Sequence, residues 1–176
     1  MNQFNYFFKD IRALLGKNKY RILLIFFNRS FYSLLSYRID RSLFLLFKSK
    51  YRFYRILLAP FFFLLQIISN CDIHYRADIK GGINIHHPSL GIVNSGKSII
   101  GDGLTLTGGN TIGIKSGNPD GVIRLGENCN LGANSCIIGP LTLGNSMRIG
   151  AMACVTKSFV ENNLILIGVP AQPFSK

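Results

Sequence analysis

Residues 125–155 read LGENCNLGANSCIIGPLTLGNSMRIGAMACV, with an aliphatic residue at every sixth position: Leu125, Leu131, Ile137, Leu143, Ile149 and Val155. Glycine follows four of them, at Gly126, Gly132, Gly144 and Gly150. The position four after each aliphatic residue is mostly small or apolar: Cys129, Ser135, Leu141, Met147 and Ala153. A period of six fits neither the turn of an α-helix nor the simple alternation of a two-sided strand. It describes one inward side chain per short flat strand, then a turn, then the next strand. Three such sides close one coil in about 18 residues, and stacked coils bury a continuous aliphatic column. Glycine and asparagine tolerate turn backbone angles, which assigns them to the corners.

The same period occurs at Ile73, Ile79 and Ile85, and again at Ile100, Leu106 and Ile112. The three blocks are out of phase, because neither the step from Ile85 to Ile100 nor that from Ile112 to Leu125 is a multiple of six. Irregularities are therefore expected at 88–98 and 114–124. The second, IKSGNPDGVIR, reads as a loop leaving the coil, and in repeat architectures such excursions gather on the functional face. A stack of coils also needs its two ends covered. The segment before Cys71 can cover one end and the tail after Val160 the other.

The preceding segment has a different composition. Residues 1–70 carry twelve Lys or Arg against two Asp, whereas residues 71–176 carry eight against six acids. The first part is rich in Phe, Tyr, Leu and Arg and holds only Gly16 among its glycines. The organisation expected is a helical segment over 1–70, a repeat domain over 71–160 and a tail over 161–176. Within the first part the pattern predicts helices near 3–15, 19–38 and 42–58, with Ser42 capping the third and Pro60 stopping it. The apolar run at 56–68 has Pro60 and Gln66 inside. It reads as too short and too broken for a spanning helix, which needs about 20 apolar residues. The cations alternate with apolar runs rather than polar loops, which disfavours nucleic acid. Arg38, Arg41, Lys48, Lys50, Arg52 and Arg55 suit helices lying among anionic lipid headgroups. The alternative is a segment packed on its own domain or a neighbouring subunit, with its long cations snorkelling.

Cys71, Cys129, Cys136 and Cys154 form no CxxC pair, so neither zinc nor thioredoxin-type chemistry is supported. Cys136 and Cys154 stand one coil apart and read as stacked small side chains rather than a disulfide. The start, MNQFNYFFKDIR, lacks a basic leader. A cytoplasmic protein with reduced thiols, peripheral on the inner face of the cytoplasmic membrane, is the expectation.

The segments CDIHYRADI (71–79), INIHHPSLGIVN (83–94), NTIGIKSG (110–117), LGANSCIIG (131–139), IGAMACVTKSF (149–159) and GVPA (168–171) resemble the hexapeptide-repeat acyltransferases. They are most similar to the serine acetyltransferase branch, and closer still to exopolysaccharide O-acetyltransferases of the colanic-acid type. The resemblance implies a left-handed parallel β-helix, assembled as a homotrimer with sites between subunits and acetyl-CoA in a groove between coils. It implies His87 as the general base and Asp72 as the carboxylate that orients it, with Asp78 a rival for that role. A histidine suits the first task because its pKa lies near neutrality. His87 follows Asp72 by nearly one coil, which would bring the two side chains together on neighbouring coils. The resemblance further implies Gly113, Ala133, Ala151 and Lys157 on the CoA side, His86 and Asp120 on the acceptor side, and an oxyanion donor among the N–H groups near Thr111–Gly113. The segment at 168–171 would close over the CoA. His74 reads as supportive. No metal is required, since His86 and His87 are adjacent and neighbouring strand residues point to opposite faces.

Two departures bear on the acceptor. His86 stands where serine acetyltransferases place Asp, and Asn118–Gly121 replaces their Arg-His pair. Both disfavour serine and favour a sugar hydroxyl, free or lipid-linked, in the making of exopolysaccharide, capsule or lipopolysaccharide. Serine O-acetylation and a non-catalytic β-helix scaffold are the alternatives.

Overall fold

The computed structural model describes residues 2–17, 19–115 and 122–174. Three α-helices precede the repeats: α1 (Gln3–Leu15), α2 (Arg29–Phe47) and α3 (Tyr51–Ser69), with 3-10 segments at Lys19–Phe27 and Lys48–Lys50. Strands then follow in coils. The first coil holds β1 (Cys71–Ile73), β2 (Asp78–Ile79) and β3 (Asn84–Ile85). The second holds β4 (Ile92–Asn94), β5 (Ser98–Ile100) and β6 (Thr105–Leu106). The third holds β7 (Asn110–Ile114), β8 (Ile123–Leu125) and β9 (Asn130–Leu131). The fourth holds β10 (Cys136–Gly139), β11 (Leu141–Leu143) and β12 (Arg148–Ile149). β13 (Cys154–Val155), β14 (Ile165–Ile167) and β15 (Gln172–Pro173) finish the stack.

Every pairing between coils is parallel and in register, giving three sheets along the stack. Three inward columns result. One is Ile79, Ile100, Leu125, Leu143; the second is Ile85, Leu106, Leu131, Ile149, Leu166. The third is Ile73, Asn94, Ile112, Ile137, Val155. The hexad read from Leu125 to Val155 thus visits the three sheets in rotation, and all six of its aliphatic residues are buried. Full burial of each such side chain contributes about 1.5–3 kcal/mol. The mainly β solenoid with an α-helical front expected from the sequence is the fold observed.

The phase jumps are insertions. The step from Cys71 to its partner Ile92 is longer than the step from Ile92 to Asn110, and the extra length is the 3-10 turn at Pro88–Leu90. The step from Thr111 to Cys136 is longer still. Its surplus falls between Ile114 and Ile123, where 116–121 are outside the described residues.

The repeat glycines have another reason than turn angles. A Cβ at Gly126, Gly132 or Gly144 would lie 2.4–2.6 Å from atoms of the next coil. Glycine is required there by close stacking. The left-handed backbone falls two residues later, on Asn128, Asn134 and Ser146, and likewise on Met152 after Gly150.

The helices cover the open edge of the first coil, whose backbone groups would otherwise lack partners. The Tyr37 hydroxyl donates to the Ala77 carbonyl at 2.9 Å and accepts from the Ile79 N–H at 3.1 Å. Arg38 donates to the carbonyls of Ile79 and Lys80, and Arg41 to that of Arg76. Ser30 donates to the Ile85 carbonyl, and Asp10 accepts from the Ile83 N–H. Arg38 and Asp10 form a buried two-point ion pair at 2.7 and 3.2 Å. Burial pushes the Asp10 carboxyl up, and the Arg38 guanidinium offsets part of that. At the other end β15 turns back antiparallel on β14.

Three helical expectations need correction. α2 runs through Ser42, whose hydroxyl bonds back to the Arg38 carbonyl instead of capping a helix. α3 runs through Pro60, which is exposed, so the lost N–H costs one helix bond while packing of Phe62, Leu65 and Ser69 carries the helix onward. By length and composition alone the stretch 29–69 could cross a membrane, but Lys48, with φ of +48°, and the 3-10 turn at Lys48–Lys50 divide it into α2 and α3, which pack on each other. Arg38 and Arg41 are buried edge caps, not headgroup contacts.

Candidate functional site

His86 and His87 leave β3 with their N–H groups bound to the carbonyls of Leu106 and Thr107, at 3.0 and 2.9 Å. The His87 carbonyl accepts from the Leu90 N–H and closes the turn at Pro88–Leu90. Gly108 passes directly above, with φ of +135°. The backbone of His87 is thus fixed on both sides while both imidazoles are exposed.

Two clefts flank this turn. One, of about 450 Å³, is lined by His86, His87, Pro88 and Ser89 on the coil side and by Arg21, Leu24, Ile25, Phe27, Asn28 and Arg29 on the helical side. Its charged lining residues are Arg21 and Arg29, with no carboxylate among the described residues. Asn28 caps α2 by accepting from the Ser30 N–H, which sets Arg29 at the cleft wall. The other cleft, of about 410 Å³, is lined by Asp72, Leu90, Gly91, Val93, Gly109 and Thr111, with Gln66 and Asn70 from the end of α3.

His87 and Asp72 therefore line different clefts, and neither a hydrogen bond nor an ion pair joins them. Because the turn at Pro88–Leu90 lengthens the first coil, the neighbours stacked over Asp72 are Val93 and then Thr111. The His74 imidazole feels the Asp72 charge. His74 is half-buried, stacks on Tyr75 at 4.4 Å, and accepts the Arg76 N–H at Nδ1. Burial, with the charges of Arg55 and Arg76, holds its pKa below the usual value against the pull of Asp72 and Asp40. Asp78, the rival carboxylate, pairs with Arg41 on the edge-capping face.

The residues expected on the CoA side are spread along the stack. Gly113 pairs with Ile138, and a Cβ there would meet nothing nearer than 3.8 Å. Packing does not demand glycine at 113, and the bare backbone leaves room for a ligand to lie close. The Ala133 carbonyl accepts the Met152 N–H, and the backbone at Ala151 sits over Gly132. Lys157 reaches Gln172 at 3.1 Å and lies over the Phe159 ring, tied to the tail. The tail segment folds on β13, with the Cys154 N–H bound to the Gly168 carbonyl and the Ala171 N–H to the Cys154 carbonyl. The Thr111 N–H is engaged by the Ser135 carbonyl, so it is no free oxyanion donor. Asp120 and the stretch 118–121 lie outside the described residues. Cys136 and Cys154 stack in register as free thiols.

Sequence reasoning missed Arg21 and Arg29, whose place in the cleft depends on how the 3-10 segment folds back. It also missed the cluster of Asp40, Tyr51 and Arg55. The Tyr51 hydroxyl donates to Asp40, Arg55 approaches the same carboxylate at 3.4 Å, and burial raises both the Asp40 and Tyr51 pKa.

No family model matches the chain. Among curated proteins, the chain is 32% identical over 88 residues to "Putative colanic acid biosynthesis acetyltransferase WcaB" of Escherichia coli (strain K12), covering 48% of this chain and 54% of that protein. The same figures hold for its counterpart in Shigella flexneri. The chain thus spans about half the length of the curated relatives it matches. Among solved structures, Neisseria gonorrhoeae serine acetyltransferase superposes with a TM-score of 0.80 at 23% identity, covering 99% of this chain and 66% of that one. A serine acetyltransferase in complex with CoA superposes with a TM-score of 0.73 at 24% identity, covering 98% of this chain and 69% of that one. The chain has the helix-fronted solenoid fold of those structures. Both sets of matches agree with the resemblance to hexapeptide-repeat acyltransferases.

Proposed function

We propose that the protein is an O-acetyltransferase that moves acetyl from acetyl-CoA to a sugar hydroxyl in the making of a cell-surface polysaccharide or its lipid-linked precursor. The observation that carries this reading is His87: an exposed imidazole on a backbone fixed between Thr107 and Gly108, opening into a cleft large enough for an acceptor. The partial match to a relative named for colanic acid biosynthesis supports the acceptor class. The CoA-bound neighbour and the open backbone at Gly113 support the donor.

In this scheme His87 takes the proton of the acceptor hydroxyl as its oxygen attacks the thioester carbonyl. The C–S bond then breaks, and the imidazolium returns the proton to the departing thiolate. Arg21 and Arg29 hold an anionic part of the acceptor, such as a phosphate next to the sugar. The bare strand at Gly113 lets the pantetheine arm lie flat on the coil. The sites form in a homotrimer, on the cytoplasmic side where acetyl-CoA is available.

A second reading, serine O-acetylation, is favoured by one observation: Arg21 and Arg29 could receive a free amino acid's carboxylate in place of the missing Arg-His pair. The test is CoA release by the purified chain from acetyl-CoA, with serine or with saccharide acceptors extracted from the cell envelope. Release with the saccharides and not with serine is expected. Brisk release with serine alone would sink the sugar reading.

A further inference from the structure

We propose that the outward face of α3 docks on a membrane surface containing anionic lipids. One side of α3 packs inward through Tyr51, Phe62, Leu65 and Ser69. The opposite side presents Phe53, Ile56, Leu57, Phe63, Leu64 and Ile67, each more than half exposed. At 100° per residue these six fall within an arc of about 120°, and from Phe53 to Ile67 they extend about 21 Å. An ordinary surface helix is polar on this side. Here the apolar stripe is continuous and unpartnered among the described residues.

Charge decides the occupant. Lys48, Lys50 and Arg52 stand exposed or half-exposed at the start of the stripe, with no ion pair among the described residues. The two carboxylates of residues 2–70, Asp10 and Asp40, are buried and paired with Arg38 and Arg55. The described helical surface therefore carries cations and no exposed carboxylate. A second copy of this face would set like charges together, whereas anionic headgroups complement the cations while acyl chains take up the stripe. The inward side of α3 is occupied by α2 and the first coil, so the helix lies along the surface instead of crossing it. Its C-terminal end, at Gln66 and Asn70, borders the cleft that contains Asp72, which places that cleft beside the lipid.

The docking does not depend on the acetyl-transfer reading, and CoA release on a soluble acceptor tests that reading separately. The experiment is sedimentation of the full chain with phosphatidylcholine vesicles, with and without phosphatidylglycerol. Binding to the phosphatidylglycerol vesicles, weakened by salt, is expected. Phe53→Ser with Leu57→Ser, and separately Lys48→Gln with Lys50→Gln and Arg52→Gln, should each weaken it by at least about tenfold with unchanged melting. The charge variant serves if the apolar one fails to fold. Wild-type chain that ignores these vesicles overturns the proposal, as do variants that bind like wild type. So does an apolar variant that keeps its vesicle binding but loses mass in solution, which would assign the stripe to a second copy.

Discussion

Gly108 lies so close over His87 that a Cβ at 108 would stand 2.4 Å from the His87 carbonyl oxygen and 3.2 Å from its Cβ. The second coil presses the candidate base into place. Gly108→Ala combines that collision with a φ of +135°, which L side chains rarely adopt. It should lower kcat through displaced imidazole geometry, whereas His87→Ala removes the base outright. We expect His87→Ala to cost about 10²–10⁴-fold in kcat without a change in melting temperature, since the side chain is exposed. Unchanged turnover in this variant removes His87 from the role.

The cationic wall of the same cleft gives an independent check. Arg21→Ala with Arg29→Ala should raise KM for the acceptor by at least about tenfold, as each lost charge-assisted hydrogen bond is worth about 1.5–3 kcal/mol. KM for acetyl-CoA should stay within about twofold. Equal rises in both constants would argue against an acceptor-side place for the pair.

On the donor side, Gly113→Ala tests the open strand. Its new Cβ meets nothing nearer than 3.8 Å, so folding should tolerate it. KM for acetyl-CoA should rise, with melting unchanged. A fall in melting temperature alone would show that glycine serves packing there after all.

The Arg38–Asp10 pair holds α1, α2 and the first coil together from a buried position. Asp10→Ala leaves the guanidinium buried without its carboxylate, which should cost about 3–5 kcal/mol in urea unfolding. Loss of less than about 1 kcal/mol would show that the edge carbonyls of Ile79 and Lys80 suffice for Arg38.

Stability should also depend on pH through His74. Its pKa is held below the usual 6.5 in the folded protein. As pH falls through that value the unfolded chain takes up the proton first, so protonation favours unfolding. Melting temperature should drop from about pH 7 to about pH 5.5, and His74→Gln should flatten the curve. The raised carboxyls of Asp10 and Asp40 act in the opposite sense at lower pH, so the comparison between variants isolates the imidazole. Parallel curves for the two proteins would refute the assignment.

The solenoid was legible because its rule is local: each hexad places one side chain in a column, and Leu125 to Val155 obeys it without exception. The phase jumps at Ile85 and Ile112 located both insertions but not their geometry. Asn94 escaped notice as a column member because it is polar, although it sits between Ile73 and Ile112 in register. The helical front was less legible, since its rules are long-range. Arg38 bonds carbonyls in a distant part of the chain, and nothing near it in sequence separates an edge cap from a headgroup contact. Pro60 misled because local propensity was outweighed by packing on the inward side of α3. The candidate base was readable from a motif. The turn at Pro88–Leu90 was not readable, and it decides that Val93 stacks over Asp72.

The capped edge also bears on the order of assembly. A ribosome releases this chain helices first, so α1 and α2 can be complete before Cys71 appears. The first coil then meets a finished platform whose side chains already present partners for its backbone, and each later coil meets the one before it. We expect winding to proceed from that platform toward the tail, with amide protection appearing in β1–β3 before β10–β12.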